Sequence, residues 1–313
     1  MMIEILSFFI SYFFSLILLK YFISYQRNNK IGQPIRKEGP DLHSHKEGTP
    51  TGGGIIFIPV SLSVVFLVSL IFKRYETLIP LLAGSLFSII GFFDDLKKIK
   101  EKNAEGISAS RKLLFQFSFA IIIVILIQFY NPHTYLIVPF TSYKWDLGFF
   151  YYIVSVLVIV GMSNAFNLTD GSDGLAGTLF IVSLLPLIAI NYNSLLLMGI
   201  FGGLLAFLFY NWNPAKIIMG DVGSLSLGAI ISVIFAMNGM EMFLFFFGLI
   251  FLIEMFSVII QISYFKFTGK RIFKMAPIHH HFHMLNWSEG RIVILFSTIA
   301  VFGTLIGLIS WKV

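Results

Sequence analysis

The sequence predicts an all-α polytopic membrane protein of about ten transmembrane helices, and three observations carry that reading. Hydrophobic residues make up 57% of the chain and charged residues 12%, against roughly 25% charged in soluble domains. Apolar runs near the ~20 residues that cross a ~30 Å hydrocarbon core recur from one end to the other. Basic residues, finally, crowd into alternate loops.

The runs fall at 3–25, 53–72, 77–93, 113–130, 148–166, 175–190, 195–211, 224–238, 243–264 and 291–311. The first carries Glu4, with neither a basic leader nor a small-residue cleavage site, so it reads as a span rather than a cleaved signal. Lys73, Arg74, Lys144 and Lys312 are the only basic residues in the loops of one side. Lys20 lies within span 1, towards the end from which it can snorkel, and the remaining Lys and Arg occupy the other side. Because such residues are retained in the cytoplasm, the chain is expected to place both termini outside. The formal charge of +6 is thereby explained by lipid orientation rather than by nucleic acid. Segment 131–147, with Tyr, Val, Phe and Thr around turn-formers, reads as a short extracytoplasmic β-hairpin. No repeat, low-complexity tract or soluble insertion divides the chain, so residues 1–313 read as one integral domain.

The polar residues capable of chemistry gather on the cytoplasmic side. Asp94 and Asp95 end span 3 in "GFFDDLKK"; Asn164, Asn167, Asp170 and Asp173 lie in "NAFNLTDGSDGLAG" after span 5. Asp221 follows span 7 in "MGDVGS", and His279, His280 and His281 precede span 10. Each has a plainer reading. The paired Asp can cap the span and pair with Lys97 and Lys98; "DGSDG" can be an Asx-rich turn; "MGDVGS" can be a helix stop followed by a Ser cap. Their coincidence on one face favours a site.

The chain has no cysteine, which excludes disulfides, thiolate catalysis and Cys-based metal centres. Five carboxylates at a membrane boundary suit Mg²⁺ with a phosphate-bearing substrate, since that ion takes oxygen ligands and shares them with phosphates. Consecutive histidines on a helix diverge by ~100° and do not readily share one ion, so phosphate contact or hydrogen-bonded support is the favoured reading. The loop 32–54, rich in glycine, base and hydroxyl, is either a flexible basic loop or an anion cradle using Lys46 and Thr51. Glu254, alone within span 9, has no role that the sequence assigns.

Taken together, "GQPIRKEGP" with "HKEGTPTGGG", "GFFDDLKK", "NAFNLTDGSDGLA", "PAKIIMGDVGSLSLGA" and "FKMAPIHHHF" with its trailing Trp and Arg resemble the polyprenyl-phosphate N-acetylhexosamine-1-phosphate transferases. "GTPT" and "APIHHHF" are similar to its pentapeptide branch. The resemblance implies a multi-pass protein of the bacterial inner membrane with its active site on the cytoplasmic face. It implies transfer of phospho-MurNAc-pentapeptide from UDP-MurNAc-pentapeptide to undecaprenyl phosphate, giving lipid I and UMP, with Mg²⁺ as cofactor, and a homodimer.

Carried over by position, Asp221 would ligate Mg²⁺, and Asp94 and Asp95 would act on the lipid phosphate. Asn167, Asp170, Gly171 and Asp173 would line the nucleotide and metal site. Lys46 and Thr51 would contact the nucleotide sugar, and His279, His280 and His281 the diphosphate. Four positions depart from the pattern: Gly52 for Met, Ser172 for Leu, Ile218 for Phe and His283 for Glu. The Phe at position 218 would stack on uracil, a contact that an aliphatic side chain does not supply. Two alternatives remain: a sister transferase acting on UDP-N-acetylglucosamine, and an ion-coupled transporter, which would instead place its charges near the bilayer midplane.

Overall fold

A computed structural model describes residues 2–32, 48–101 and 105–311; Lys46 lies outside them. The elements run α1 (Met2–Asn28), α2 (Gly54–Phe72), α3 (Leu78–Glu101), α4 (Ala109–Tyr130), β1 (Tyr135–Ile137), β2 (Lys144–Asp146), α5 (Phe150–Thr169), α6 (Leu175–Ala189), α7 (Ser194–Asn211), α8 (Asp221–Ala236), α9 (Leu244–Phe247), α10 (Leu249–Thr268), α11 (Ile278–His283) and α12 (Glu289–Trp311). Among the described residues, eight helices are long and apolar enough to cross a membrane. Of the ten expected spans, α6 and α8 have 15 and 16 residues, which at ~1.5 Å per residue stop short of the full core.

α8, mainly apolar after Asp221, is buried along its whole length, the pattern of a central helix. α3 and α5 pack along it, α1 packs on α2 and α7, and α12 packs on α6. Helices surrounded by lipid gain little from apolar burial against one another, so close packing of small residues holds them together. Gly91 of α3 lies so near α8 that an added methyl would fall 2.4 Å from the Asp221 carbonyl, and Gly228 of α8 meets Met162 and Ser163 of α5 equally closely. The carboxylate-bearing ends of α3 and α8 are thereby brought side by side.

Several boundaries differ from the expected spans. α3 continues past Asp94 and Asp95 to Glu101, and α8 begins at Asp221 itself; the acids therefore stand on helix ends rather than in loops. The expected span 243–264 breaks at Gly248 into α9 and α10. The hairpin forms as an antiparallel pair in the register Tyr135↔Asp146, Leu136↔Trp145, Ile137↔Lys144. The Gly148 N–H and then the Thr134 hydroxyl bond to the exposed Asp146 carboxylate and hold its pKa below the usual range. Tyr151 ties the hairpin to the far end of α8, donating to the Ala236 carbonyl at 3.0 Å and meeting His133 Nε2 at 2.7 Å.

Candidate active site

Asp94, Asp95 and Asp221 each offer an oxygen within 4.8 Å of the others, and all three are buried. Among the described residues they form the one acidic or histidine cluster with metal-binding spacing. Helical spacing alone would not assemble it, because the first two come from α3 and the third from α8.

Asp95 explains the juncture. Its Oδ1 accepts the Asp221 N–H at 3.1 Å and its Oδ2 accepts the Val222 N–H at 3.2 Å. The carboxylate therefore caps α8 from a neighbouring helix, satisfying two orphan amides and complementing the positive end of the helix dipole. The turn before α8 makes room for it. Gly220 has φ +77°, a conformation natural to glycine, and a side chain there would come 2.6 Å from Asp95 Oδ2.

Two lysines balance much of the triad's negative charge. Lys98 Nζ stands 2.6 Å from Asp94 Oδ2, 3.1 Å from Asp221 Oδ1 and 3.9 Å from Asp95 Oδ1. Lys112 of α4 also binds Asp221 Oδ2. By sequence alone Lys98 is a pairing partner for the Asp pair and Lys112 is one membrane-proximal base among many. The i, i+4 spacing of Asp94 and Lys98 on one helix was the available signal; nothing local marks Lys112, whose partner lies 109 residues away. Asn167 completes the first set, donating from Nδ2 to Asp221 Oδ1 at 3.0 Å and to Ser224 Oγ at 2.9 Å.

The "GTPTGGG" segment docks beside this cluster. Gln26 of α1 holds Thr51 by both backbone groups at 2.8 Å. Ile218 N donates to the Pro50 carbonyl at 2.9 Å, while Gly53 and Gly54 donate to the carbonyls of Ile218 and Met219. Thr51 is thus fixed beside the turn that opens α8, with the half-exposed Ile218 next to it.

The remaining predicted residues are arranged differently. Asp173 is tied to the neighbouring loops: its Oδ2 accepts the Ala215 N–H at 2.9 Å and the Asn213 amide at 3.3 Å, and its own N–H is taken by Glu289 Oε2 at 2.7 Å. It organises the junction of three loops. Asp170 ends α5 at its C-cap. Gly171 abuts His279, where an added methyl would sit 2.3 Å from ring Nε2. His279 is fully buried, whereas His280 and His281 are partly exposed. His281 Nδ1 accepts the Lys274 N–H at 3.1 Å, which leaves Nε2 to carry the proton of a neutral ring. The trailing Trp287 packs on Phe282 and carries the Arg291 guanidinium 3.8 Å above its ring. Among the described residues this carboxylate and lysine centre stands at the first residue of α8 and the last turns of α3, whereas a transporter places its charges at mid-membrane.

These features define a multi-pass membrane transferase whose polar centre sits at the ends of its helices, and the sequence profile of glycosyl transferase family 4 matches residues 77–239. That stretch contains Asp94, Asp95, Lys98, Lys112, Asn167 and Asp221. Over nearly its whole length, the chain is 52% identical to the phospho-N-acetylmuramoyl-pentapeptide-transferase of Kosmotoga olearia, covering 99% of this chain and 98% of that one. It is 47% identical to the enzyme of the same name from Petrotoga mobilis, with 96% of each covered, and 44% identical to that of Rickettsia felis, with 95% of this chain and 88% of that one covered. The chain belongs to the phospho-N-acetylmuramoyl-pentapeptide-transferase family.

Proposed function

We propose that the protein transfers phospho-MurNAc-pentapeptide from UDP-MurNAc-pentapeptide to undecaprenyl phosphate, yielding lipid I and UMP for peptidoglycan synthesis. An oxygen of the lipid phosphate forms a new bond to the sugar-bearing phosphorus. The bond from that phosphorus to the bridging oxygen breaks, and UMP leaves with the electron pair. The single observation that carries the reading is the buried Asp94, Asp95 and Asp221 triad, partly neutralised by Lys98 and Lys112, in a chain of this family.

Phosphoryl transfer asks little covalent chemistry of a protein; it asks for placement and for charge against the phosphoryl oxygens. Lys98 and Lys112 supply positive charge at the triad. Asp95, committed through both oxygens to the α8 amides, is a positioning residue that holds Asp221. Asp94, bonded to the Ile107 N–H at 2.8 Å and to Lys98, faces the lipid phosphate. Thr51, Asn167, Asp170, Gly171, Asp173, His280 and His281 line the nucleotide-sugar side, and Lys46 is the further residue expected to contact the nucleotide sugar.

The donor set is oxygen only and fits a hard divalent ion, for which Asp221 is the principal ligand with its neighbours in support. When bound, Mg²⁺ neutralises charge on the diphosphate and favours departure of UMP. The site faces the cytoplasm, both termini lie outside, and the enzyme works as a homodimer.

The test is UMP release by the purified protein in detergent with undecaprenyl phosphate and Mg²⁺, comparing UDP-MurNAc-pentapeptide with UDP-N-acetylglucosamine. Turnover with the first alone supports the proposal. Turnover with the second moves the chain to a sister activity.

A further inference from the structure

Glu254 lies within α10, among residues long and apolar enough to cross the membrane, and it is fully buried. A carboxylate in such a place is costly unless it is partnered, and its partner is a histidine from the segment after α10. Glu254 Oε1 lies 3.1 Å from ring Nδ1 of His279, and Oε2 accepts the His279 backbone N–H at 3.4 Å. His279, also fully buried, turns its other ring nitrogen to Gly171, leaving no space for a methyl group between them.

We propose that Glu254 is a positioning residue: it fixes the main chain and the ring of His279, and that ring braces Gly171, setting the loop from which Asp170 and Asp173 project. A neutral imidazole whose Nδ1–H is held by a carboxylate keeps its lone pair on Nε2, so His279 is the Nδ1–H tautomer. The loop belongs to the nucleotide-sugar side of the site, and the consequence for catalysis rests on the transferase reading above. The placement of Glu254 and His279 does not.

Full-length protein in detergent is compared with E254L, which removes the acceptor, E254Q, which keeps an acceptor oxygen, and G171A, which presses on the same ring from the other side. E254L raises KM for the nucleotide sugar about tenfold and leaves KM for undecaprenyl phosphate within about twofold, the pattern of lost binding on one side of the site. E254Q stays close to the parent, and G171A follows E254L. The double variant E254L H279L is no worse than H279L alone, because the two act as one unit. In ¹⁵N-histidine spectra, the signal lost in H279Q is protonated at Nδ1 in the parent protein.

Equal changes in both KM values, additive single variants, or a parent His279 protonated at Nε2 would overturn the inference. Should E254L fail to fold, G171A and the parent spectrum decide. A parent protein without turnover removes the transferase reading, while the tautomer still reports on Glu254.

Discussion

Ser172 Oγ lies 2.8 Å from His283 Nε2, joining the loop after α5 to the end of α11 across 111 residues of sequence. Both positions depart from the pattern the family resemblance led us to expect, with Ser for Leu and His for Glu, and the two departures touch. One hydrogen bond of this kind is worth about 1 kcal/mol net. S172A and H283A should each lower thermal stability, and the double variant should lose less than the sum. A double-mutant cycle followed by thermal unfolding checks it; strictly additive losses would mean that the contact is energetically silent.

Asp221 carries the most charge contacts of the triad, accepting from Lys98, Lys112 and Asn167. D221N should reduce UMP release by about a thousandfold or more, the scale at which electrostatic groups act in such transition states. Folding should be retained, as judged by gel filtration in detergent. Residual turnover above a tenth of the parent rate would remove Asp221 from the centre of the mechanism.

Asp95 has a different task, and its loss should have a different signature. D95A deprives α8 of its cap, which costs about 1–2 kcal/mol, and should lower the unfolding temperature as well as the rate. G220A should resemble it, since the added Cβ meets Asp95 Oδ2 in a left-handed backbone position. Loss of rate at full stability in both would argue for a direct chemical role instead.

Lys98 sits within reach of all three carboxylates, so K98M leaves them under-neutralised. Adding millimolar Mg²⁺ should raise the unfolding temperature of K98M by more than that of the parent, because like charges held together gain most from a cation. An equal Mg²⁺ response in the two proteins would place the ion elsewhere.

Glu241, between α8 and α9, accepts from Ser155 Oγ at 2.6 Å, and burial pushes its pKa up to about 7. The folded state therefore holds this proton more tightly than the unfolded chain, where a glutamate titrates at about 4.3. Stability declines as pH rises through that interval and levels off above about 7. E241Q should match the parent near pH 4 and exceed it increasingly up to pH 7, in thermal unfolding followed across pH. A stability gain that is the same at both ends of the range would show that the carboxyl is not titrating there.

Much of the architecture was legible because the bilayer imposes length and composition on every span. The apolar runs became helices, and segment 131–147 became the two-stranded hairpin. The acids were found as motifs, and Asp94, Asp95 and Asp221 do converge. What local pattern did not disclose was division of labour. Asp173 also binds the loop before α8, accepting from Ala215 and Asn213. Asp95 spends its oxygens on backbone amides, and Lys112 arrives from a helix whose sequence marks it only as membrane-proximal charge.

The sequence by itself determined that this chain lives in a membrane, carries its reactive groups near helix ends, lacks thiol chemistry and shares the motifs of one transferase family. Those properties follow from composition, spacing and residue type, each of which acts locally. Only the tertiary structure decided which carboxylates meet, which lysines neutralise them, and that Glu254 reaches His279. Such contacts depend on how closely α3 and α5 approach α8 and how α10 meets the segment that follows it. Side-chain volumes summed over whole helix interfaces set those distances, and no short motif contains them.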